Sequence, residues 1–280
     1  MTNFGGNHER SPYARVSGAI REHVKSLFST EDQKKIRHGI NAVKSVYLTP
    51  LRNLRAAGID RRIRFRPDGR NWKSAIPMNL HYSIQQGTIE YRYRGVPMLK
   101  HPMDIAQYMR LIWDLKPASI IEIGSHAGGA ALWLSDVMKT FGIAGRVLSI
   151  DIEPPTLPIA AENVTFLRGD AGKLGDSLSE DLLNALPRPW LVIEDASHQY
   201  ADTLAALRFF SPHMRRGEYL IVEDGNITEM GDDARFDGGP CRALAEFLEE
   251  TNGAFKIDAR ACDWYGHNVT ANPNGYLVRC

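Results

Sequence analysis

The sequence contains few cysteines and no long apolar run. Its 280 residues include three cysteines, Cys241, Cys262 and Cys280, which lack the close paired spacing of a zinc ribbon or a redox motif. We therefore expect free thiols and a cytoplasmic location. No stretch reaches the roughly 18 uninterrupted apolar residues that a membrane span requires, and the polar first residues lack the apolar core of a signal peptide. Neither secretion nor a membrane span is expected.

Net charge is also nearly absent, but the charges are unevenly distributed. The chain has 34 basic and 33 acidic side chains. Residues 1–75 hold 16 basic and 6 acidic side chains, a net of +10, which leaves 18 and 27, a net of −9, for the remainder. We expect the basic arm to pack on the acidic remainder or on a neighbouring subunit of a homo-oligomer. An anionic substrate or a membrane surface is the alternative, whereas nucleic acid is not expected, since no reading motif accompanies the basic residues.

The chain has two regions of different pattern. Its content of 43% hydrophobic and 24% charged residues is typical of a soluble folded protein. Residues 17–57 show helical spacing of apolar side chains, and residues 61–73 and 89–100 alternate basic and apolar side chains as short extended segments do. We therefore predict a basic, largely helical N-terminal extension over residues 1–94, ending in extended segments, and a second domain over residues 95–280.

The second region alternates strand and helix patterns. A helix is predicted from Pro102, with Asp104 as a possible cap. Apolar strands that alternate with helices indicate a mostly parallel sheet covered on both faces, so the predicted fold class is α/β, a Rossmann-like doubly wound sheet. The predicted strands are residues 119–124, 146–152, 164–170, 190–197, 217–226, 255–264 and 275–280.

A glycine-rich turn follows the first of these strands, in the segment IIEIGSHAGGAAL. Glycines allow a tight turn close to a ligand, and the next helix presents unpaired amides, although such a turn can also merely close the connection. Asp151 and Asp170 end the next two strands, at the edge where ligands bind; each alone could be a helix cap or a turn residue. Together they favour a nucleoside, with Asp151 on ribose and Asp170 on adenine. The predicted cofactor-binding residues are Glu122, Gly124, Ser125, Gly128, Asp151, Asp170 and Ala171.

Acidic residues and a histidine end the fourth and fifth strands, in IEDASH and IVEDGN. Crowded carboxylates repel one another unless a cation shares them, and oxygen ligands suit magnesium. We predict that Asp195, Glu223 and Asp224 bind Mg²⁺, with His198 within reach of a metal-bound hydroxyl; whether Glu194 also joins the metal is left open. Alternatively, His198 caps the next helix, and the acidic pair is solvated or bound to the basic arm.

These residues suit the activation of an alcohol. A hydroxyl is a weak nucleophile until a Lewis acid polarises it and a base removes its proton. Histidine suits the role of base because its ordinary pKa lies near neutrality. The predicted catalytic residues are accordingly His198 and Asp195.

Over residues 95–279 the chain resembles the cephalosporin hydroxylase and rhamnosyl O-methyltransferase family and, beside it, the metal-dependent macrolide sugar O-methyltransferases. The segments that carry the resemblance are GVPMLKHPMD, IIEIGSHAGGAALWL, GRVLSIDIE, VTFLRGDA, VIEDASH, GEYLIVEDGNI, the GGP at 238–240 and NPNGYLVR. One departure is Ser197, where the cephalosporin hydroxylase branch has an aspartate.

The resemblance implies a class I methyltransferase fold and an S-adenosylmethionine-dependent O-methyltransferase. It maps magnesium onto Asp195, the general base onto His198 and the later acidic pair onto Glu223 and Asp224. It also places the donor at Glu122, Gly124, Asp151 and Asp170, and it implies an acceptor hydroxyl on a sugar of a glycolipid, polysaccharide or glycosylated natural product.

Three alternatives remain open from the sequence. The same fold and metal geometry could methylate a catechol-like diol. A NAD(P)-dependent oxidoreductase would use a similar sheet, but the glycine spacing and the acidic pair disfavour it. A non-catalytic S-adenosylmethionine-binding module would need the donor pocket but not the acids and histidine of the second site.

Overall fold

A computed structural model of the chain describes residues 70–157, 161–232 and 234–280, together with Ser29, Glu31, Asp32 and Lys35. The chain divides into two compact units, residues 1–63 and 64–280. The helix predicted over 17–57 and the extended segment predicted over 61–73 lie outside the described residues, apart from those four residues and 70–73. The domain boundary predicted at residue 94 stays a prediction.

The second unit contains a short hairpin and a seven-stranded sheet. The spatial order of the sheet is β5-β4-β3-β6-β7-β9-β8, with the first five strands parallel and the last two antiparallel to their neighbours. The strands are β1 (Arg92–Tyr93), β2 (Val96–Pro97), β3 (Ser119–Ile123), β4 (Arg146–Asp151), β5 (Val164–Arg168), β6 (Trp190–Glu194), β7 (Tyr219–Val222), β8 (Phe255–Ile257) and β9 (Tyr276–Arg279).

Helices connect the parallel strands and cover the sheet. Numbered among the described residues, they are α1 (Met78–Glu90), α2 (Pro102–Leu115), α3 (Gly129–Thr140), α4 (Glu180–Ala185), α5 (Tyr200–Phe210), α6 (Gly239–Glu250) and α7 (Ala259–Cys262). Two short 3₁₀ helices, Ala171–Asp176 and Gly225–Thr228, follow β5 and β7. Among the residues that the structure describes, no helix is long and apolar enough to cross a bilayer.

The sheet is buried on both faces, which confirms the doubly wound α/β prediction. Every residue of β3 is buried, and its side chains alternate between two apolar clusters. Ile121 and Ile123 belong to one cluster, and Ile120 belongs to the other. Because successive side chains of a strand point to opposite faces, this division places one apolar layer on each side of the sheet.

Helix α2 begins where the sequence predicted, but with a different cap. The Nδ1 atom of His101 accepts a hydrogen bond from the backbone N–H of Met103, and Pro102 occupies the first helical position, where its missing N–H is not needed. The prediction that Asp104 caps this helix is wrong. Asp104 is buried and accepts hydrogen bonds from the hydroxyls of Thr270 and Tyr276.

Two other local predictions differ from the structure. The strand predicted over 255–264 ends at Ile257, because the carboxylate of Asp258 accepts a hydrogen bond from the N–H of Arg260 and starts α7. The extended segment predicted over 89–100 begins inside α1, and its extended part is the hairpin of β1 and β2.

Candidate active site

The glycine turn after β3 brings the ends of two strands together. Gly124 has a φ of +98°, and a Cβ on it would lie 1.9 Å from the backbone oxygen of Asp195, just beyond β6. Glycine is required because other residues rarely adopt this φ and none could tolerate the contact. Gly128, with a φ of +84°, caps the start of α3. The turn therefore fits closely against the end of β6.

A cavity of about 670 Å³ opens at the carboxyl ends of the parallel strands. This volume suits a small organic ligand of nucleoside size. Four predicted cofactor residues line it, namely Gly124, Asp151, Asp170 and Ala171. The other three do not line it: Glu122 and Ser125 are buried, and Gly128 starts α3. Asp195 also lines the cavity, so the cavity reaches the second predicted site.

The two aspartates predicted to bind the nucleoside hold backbone amides in the structure. One carboxylate oxygen of Asp151 accepts hydrogen bonds from the N–H groups of Ser125 and His126, at 2.8 and 3.0 Å. Asp170 accepts one from the N–H of Gly172 at 2.9 Å and caps the first 3₁₀ helix. Both thus have the turn and capping roles that the sequence left open, and their contacts to ribose and adenine stay predictions.

Glu122 is a buried carboxylate one residue before the cavity wall. Its Oε2 accepts a hydrogen bond from the hydroxyl of Ser149 at 2.5 Å, whereas its Oε1 has no partner among the described residues. Burial raises the pKa of Glu122 to about 7, against the opposing attraction of Lys100. A buried acceptor without a donor is uncommon in a folded protein, and a donor group of a bound ligand would satisfy it.

Asp195, His198 and Asp224 converge at the ends of β6 and β7. One ligand atom from each lies within 4.8 Å of the others, and the Nε2 of His198 lies 3.5 Å from a carboxylate oxygen of Asp224. His198 and Asp224 have φ values of +59° and +54°. Such values are strained for residues with a side chain, and strain of this kind concentrates at functional sites.

Glu223 lies apart from this three-residue cluster. Its Oε1 accepts hydrogen bonds from the ammonium group of Lys100, at 2.7 Å, and from the hydroxyl of Tyr108. The same ammonium group lies 2.6 Å from the Oδ2 of Asp195. Lys100 thus links two of the three predicted ligands, Asp195 and Glu223, and the ligand set with Asp224 stays a prediction.

Burial and crowding shift the pKa values of these groups. Burial raises the pKa of Glu194 and of Glu223 to about 7. Burial also raises the pKa of Asp195, against the attraction of Lys100. Burial alone would lower the pKa of His198, but the carboxylates of Asp224 and Asp195 raise it overall. Desolvation is the main cause of the carboxyl shifts and repulsion between carboxylates adds to it, so a bound cation would favour the ionised forms.

The structure answers several alternatives for the second site. Helix α5 has Gln199 at its cap position and no capping side chain, so His198 does not cap it. Glu223 is buried rather than solvated. The hydroxyl of Ser197 donates a hydrogen bond to Asp202 at 2.6 Å, and neither Ser197 nor Glu194 belongs to the three-residue cluster.

Sequence reasoning missed Lys100, Tyr108 and Asn272. The side-chain oxygen of Asn272 accepts a hydrogen bond from the N–H of Asp224 at 3.0 Å, which holds the end of β7. The crowding of acids predicted a metal ion, and no local pattern of the chain indicates that a lysine also lies among them. Asn272 lies in NPNGYLVR and Lys100 lies in GVPMLKHPMD, two segments that carry the family resemblance but contain no residue predicted to belong to the site.

The oxygen and imidazole donors of the cluster fit a divalent cation. The cavity volume and the unpaired Oε1 of Glu122 fit a nucleoside-containing donor. The arrangement can therefore hold a nucleoside cofactor beside a metal-assisted reaction centre.

The chain matches a known family over most of its length. The family model Rhamnosyl O-methyltransferase/CmcI matches residues 85–280. The rhamnosyl O-methyltransferase of Mycobacterium leprae (strain TN) is 30% identical over 190 residues, 67% of this chain and 82% of the relative. That of Mycobacterium bovis (strain BCG / Pasteur 1173P2) is 29% identical over 191 residues, 67% of this chain and 77% of the relative.

Solved structures share the fold. A structure of CmcI with Mg and SAM has a TM-score of 0.53 at 24% identity, covering 77% of this chain and 90% of that chain. An apo structure of CmcI has a TM-score of 0.55 at 24% identity, covering 77% of this chain and 89% of that chain. At these identities the likeness concerns the fold alone.

Proposed function

The chain belongs to the rhamnosyl O-methyltransferase/CmcI family, and from this membership we propose that it methylates a sugar hydroxyl with S-adenosylmethionine as donor. Membership makes the chain an S-adenosylmethionine-dependent O-methyltransferase. It leaves no support for an oxidoreductase or a non-catalytic binding module. Because its relatives are named for rhamnosyl acceptors, the proposed acceptor is a rhamnosyl or related sugar of a glycolipid, polysaccharide or glycosylated natural product. Assembly into a homo-oligomer stays a prediction.

One observation carries the proposal: Asp195 belongs both to the wall of the cavity and to the cluster with His198 and Asp224. A donor in the cavity and an acceptor at the cluster would therefore meet at this residue. Methyl transfer requires oxygen, methyl carbon and sulfur to be held in line, which is a task of positioning. Two sites that share one residue provide that positioning.

The donor would be held by the glycine turn and the strand ends. Gly124 allows the turn to fit against the end of β6 beside the cavity, and Asp170 and Ala171 also line the cavity. The unpaired Oε1 of Glu122 would accept a hydrogen bond from the donor. When bound, S-adenosylmethionine supplies a methyl group activated by its sulfonium.

The metal would be held by Asp195 and Asp224, with Glu223 as a further ligand. When bound, a divalent cation supplies Lewis acidity to the acceptor hydroxyl. His198 is proposed to remove the proton of that hydroxyl, and the nearby carboxylate of Asp224 stabilises the imidazolium that results. One oxygen of Asp195 and one of Glu223 accept hydrogen bonds from Lys100, which fixes the positions of these two carboxylates.

A transfer assay tests the proposal. The protein is incubated with S-adenosylmethionine labelled in its methyl group, Mg²⁺ and a panel of rhamnosides, other glycosides and catechols, and the products are identified by mass spectrometry. We expect label on a sugar hydroxyl, loss of turnover in excess chelator and recovery when Mg²⁺ is added. Label on catechols alone would favour the diol alternative, and full turnover in excess chelator would remove the metal.

A pair of variants makes the assay specific to the site. Asp195→Asn removes a charge from the cluster and is expected to lower turnover at least about a hundredfold, in the range of other electrostatic stabilisers. Asp181→Asn, at an exposed position in the first turn of α4, is the matched control and is expected to keep wild-type turnover.

A further inference from the structure

Lys100 places a buried positive charge between two of the predicted metal ligands. It lies in the segment between β2 and α2, and its side chain is 1% exposed. Its Nζ lies 2.6 Å from the Oδ2 of Asp195 and 2.7 Å from the Oε1 of Glu223. Burying an ammonium group is unfavourable unless it is paired and hydrogen-bonded, so the two carboxylates and Lys100 depend on one another.

The surroundings of Lys100 fix its position. Its Nζ lies 5.9 Å from the centre of the Tyr108 ring, and the hydroxyl of Tyr108 donates to the same carboxylate oxygen of Glu223 that Lys100 contacts. Asp195 and Glu223 come from neighbouring strands, at the ends of β6 and β7. The Lys100 ammonium therefore joins the two strand ends on which the predicted metal site is built.

The same carboxylates would have to serve a metal ion. An oxygen that accepts a hydrogen bond from an ammonium group has less capacity to donate to a cation, and an ammonium group beside a divalent cation is repelled by it. In the protein without metal, however, Asp195 and Glu223 would repel each other if Lys100 were absent. Lys100 thus acts in opposite directions on the metal-free and the metal-bound protein.

We propose that Lys100 is the resident counter-ion of the predicted metal site, stabilising Asp195 and Glu223 when the metal is absent and weakening the binding of the metal when it enters. The inference rests on the proposed function, because it assumes that these carboxylates belong to a divalent-cation site. Lys100 is a positioning residue and takes no part in the transfer itself. Because Lys100 weakens metal binding, we expect the metal to exchange with the solvent rather than to stay permanently bound.

The test is Lys100→Met, which keeps an unbranched chain of similar length and removes the charge. Mn²⁺ replaces Mg²⁺ as the probe because it accepts the same oxygen ligands and its binding can be followed by electron paramagnetic resonance. We expect Lys100→Met to bind Mn²⁺ at least about tenfold more tightly than the wild type. We also expect a lower Tm without metal and a larger rise of Tm on addition of Mg²⁺, because a ligand that binds the folded state stabilises it by mass action.

Arg188→Met is the matched control. Arg188 also forms a close ion pair, with both oxygens of Glu218 at 2.7 and 2.6 Å, and neither residue belongs to the site. The control is expected to lower Tm without changing the Mn²⁺ affinity or the Mg²⁺-induced rise. Lys100→Arg, which restores a positive charge, is expected to move the Mn²⁺ affinity back toward the wild-type value.

Each other outcome contradicts the inference. Unchanged or weaker Mn²⁺ binding by Lys100→Met would mean that Lys100 does not oppose the metal. A Lys100→Met protein that stays unfolded even in saturating Mg²⁺ would mean that the metal cannot replace the ammonium group. A wild-type protein that binds neither Mn²⁺ nor Mg²⁺ would refute the proposed metal site, and the inference with it, which separates that failure from a failure of Lys100 alone.

Discussion

The Nε2 of His198 lies 3.5 Å from a carboxylate oxygen of Asp224, and we have proposed that it removes the proton of the acceptor hydroxyl. We expect His198→Asn to lower kcat by about 10²- to 10⁴-fold, the usual contribution of a general base, and to leave the affinity for S-adenosylhomocysteine unchanged. Turnover by mass spectrometry and binding by calorimetry measure the two quantities. His213→Asn, in a histidine that packs on Phe209, serves as control. A loss of Mn²⁺ affinity parallel to the loss of kcat would make His198 a metal ligand instead.

Glu122 is expected to make the free energy of unfolding of the metal-free protein depend on pH. Burial raises its pKa from 4.5 to about 7, so the folded state holds a proton that the unfolded state has released. Its stabilising effect is therefore complete below about pH 4.5 and is lost as the pH rises through 7. One such group changes the free energy of unfolding by at most about 1.4 kcal/mol per pH unit. We expect Glu122→Gln to reduce the slope between pH 5 and pH 7 by up to that amount.

Urea unfolding at intervals between pH 5 and pH 8 measures this slope. Glu194 and Glu223 have pKa values raised to the same range, so part of the slope should remain in Glu122→Gln. Identical slopes in Glu122→Gln and the wild type would show that Glu122 is ionised throughout this range.

At the residue scale, the sequence predicted which acids lie at the strand ends but not what they contact. The position of Asp195 follows from local pattern, because parallel strands end at one edge of the sheet. Its partner Lys100 is 95 residues away in the chain, and no periodicity relates the two. The hydrogen bonds from the turn amides to Asp151 depend on the exact path of the loop. The sequence alone therefore does not show whether Asp151 contacts a ligand or the turn.

The glycine turn after β3 is an element whose shape can be tested directly. Gly124→Ala would combine a φ of +98° with a Cβ 1.9 Å from the backbone oxygen of Asp195. Gly217→Ala has a similar φ of +87° and nothing within 4 Å of the added Cβ. The control should lose about 1–2 kcal/mol, from the left-handed backbone alone. We expect Gly124→Ala to lose more and also to lose binding of S-adenosylhomocysteine.

Urea unfolding and calorimetry separate the two effects in this pair. Equal losses of stability, with binding intact in both variants, would mean that the turn can relax away from β6. Circular dichroism of each variant verifies that the sheet is still formed before binding is compared.

At the element scale, prediction succeeded where a strand is buried on both faces. Most residues of β3, β4, β6 and β7 are buried, and each predicted strand, including the more exposed edge strand β5, contains the observed one. The ends were placed too far along, because residues such as Asp195 and Asp224 leave the strand to form the site. Prediction failed over 255–264, where alternating apolar residues suit either element and the capping bond of Asp258 decides for a helix.

At the scale of the molecule, the segment before α1 is tied to the end of the chain. The guanidinium of Arg70 donates two hydrogen bonds to Asp263, at 2.7 and 2.8 Å, and others to Asn268 and Asn274. The side chains of Arg70 and Asp263 are 4% and 0% exposed. Contacts across about 193 residues cannot be read from local pattern.

Two truncations test what this tie contributes. A chain of residues 64–280 keeps Arg70 and both apolar clusters, so we expect it to fold and to bind S-adenosylhomocysteine as the full chain does. A chain of residues 75–280 removes the partner of Asp263 together with the contacts of Asn71 and Ser74 to the C-terminal segment, and the loss of a buried ion pair alone costs about 3–5 kcal/mol. Urea unfolding and calorimetry on both chains measure these effects. Loss of donor binding in the 64–280 chain would mean that residues 1–63 contribute to the donor site, and equal stability of the two chains would mean that Arg70 does not hold the C-terminal segment.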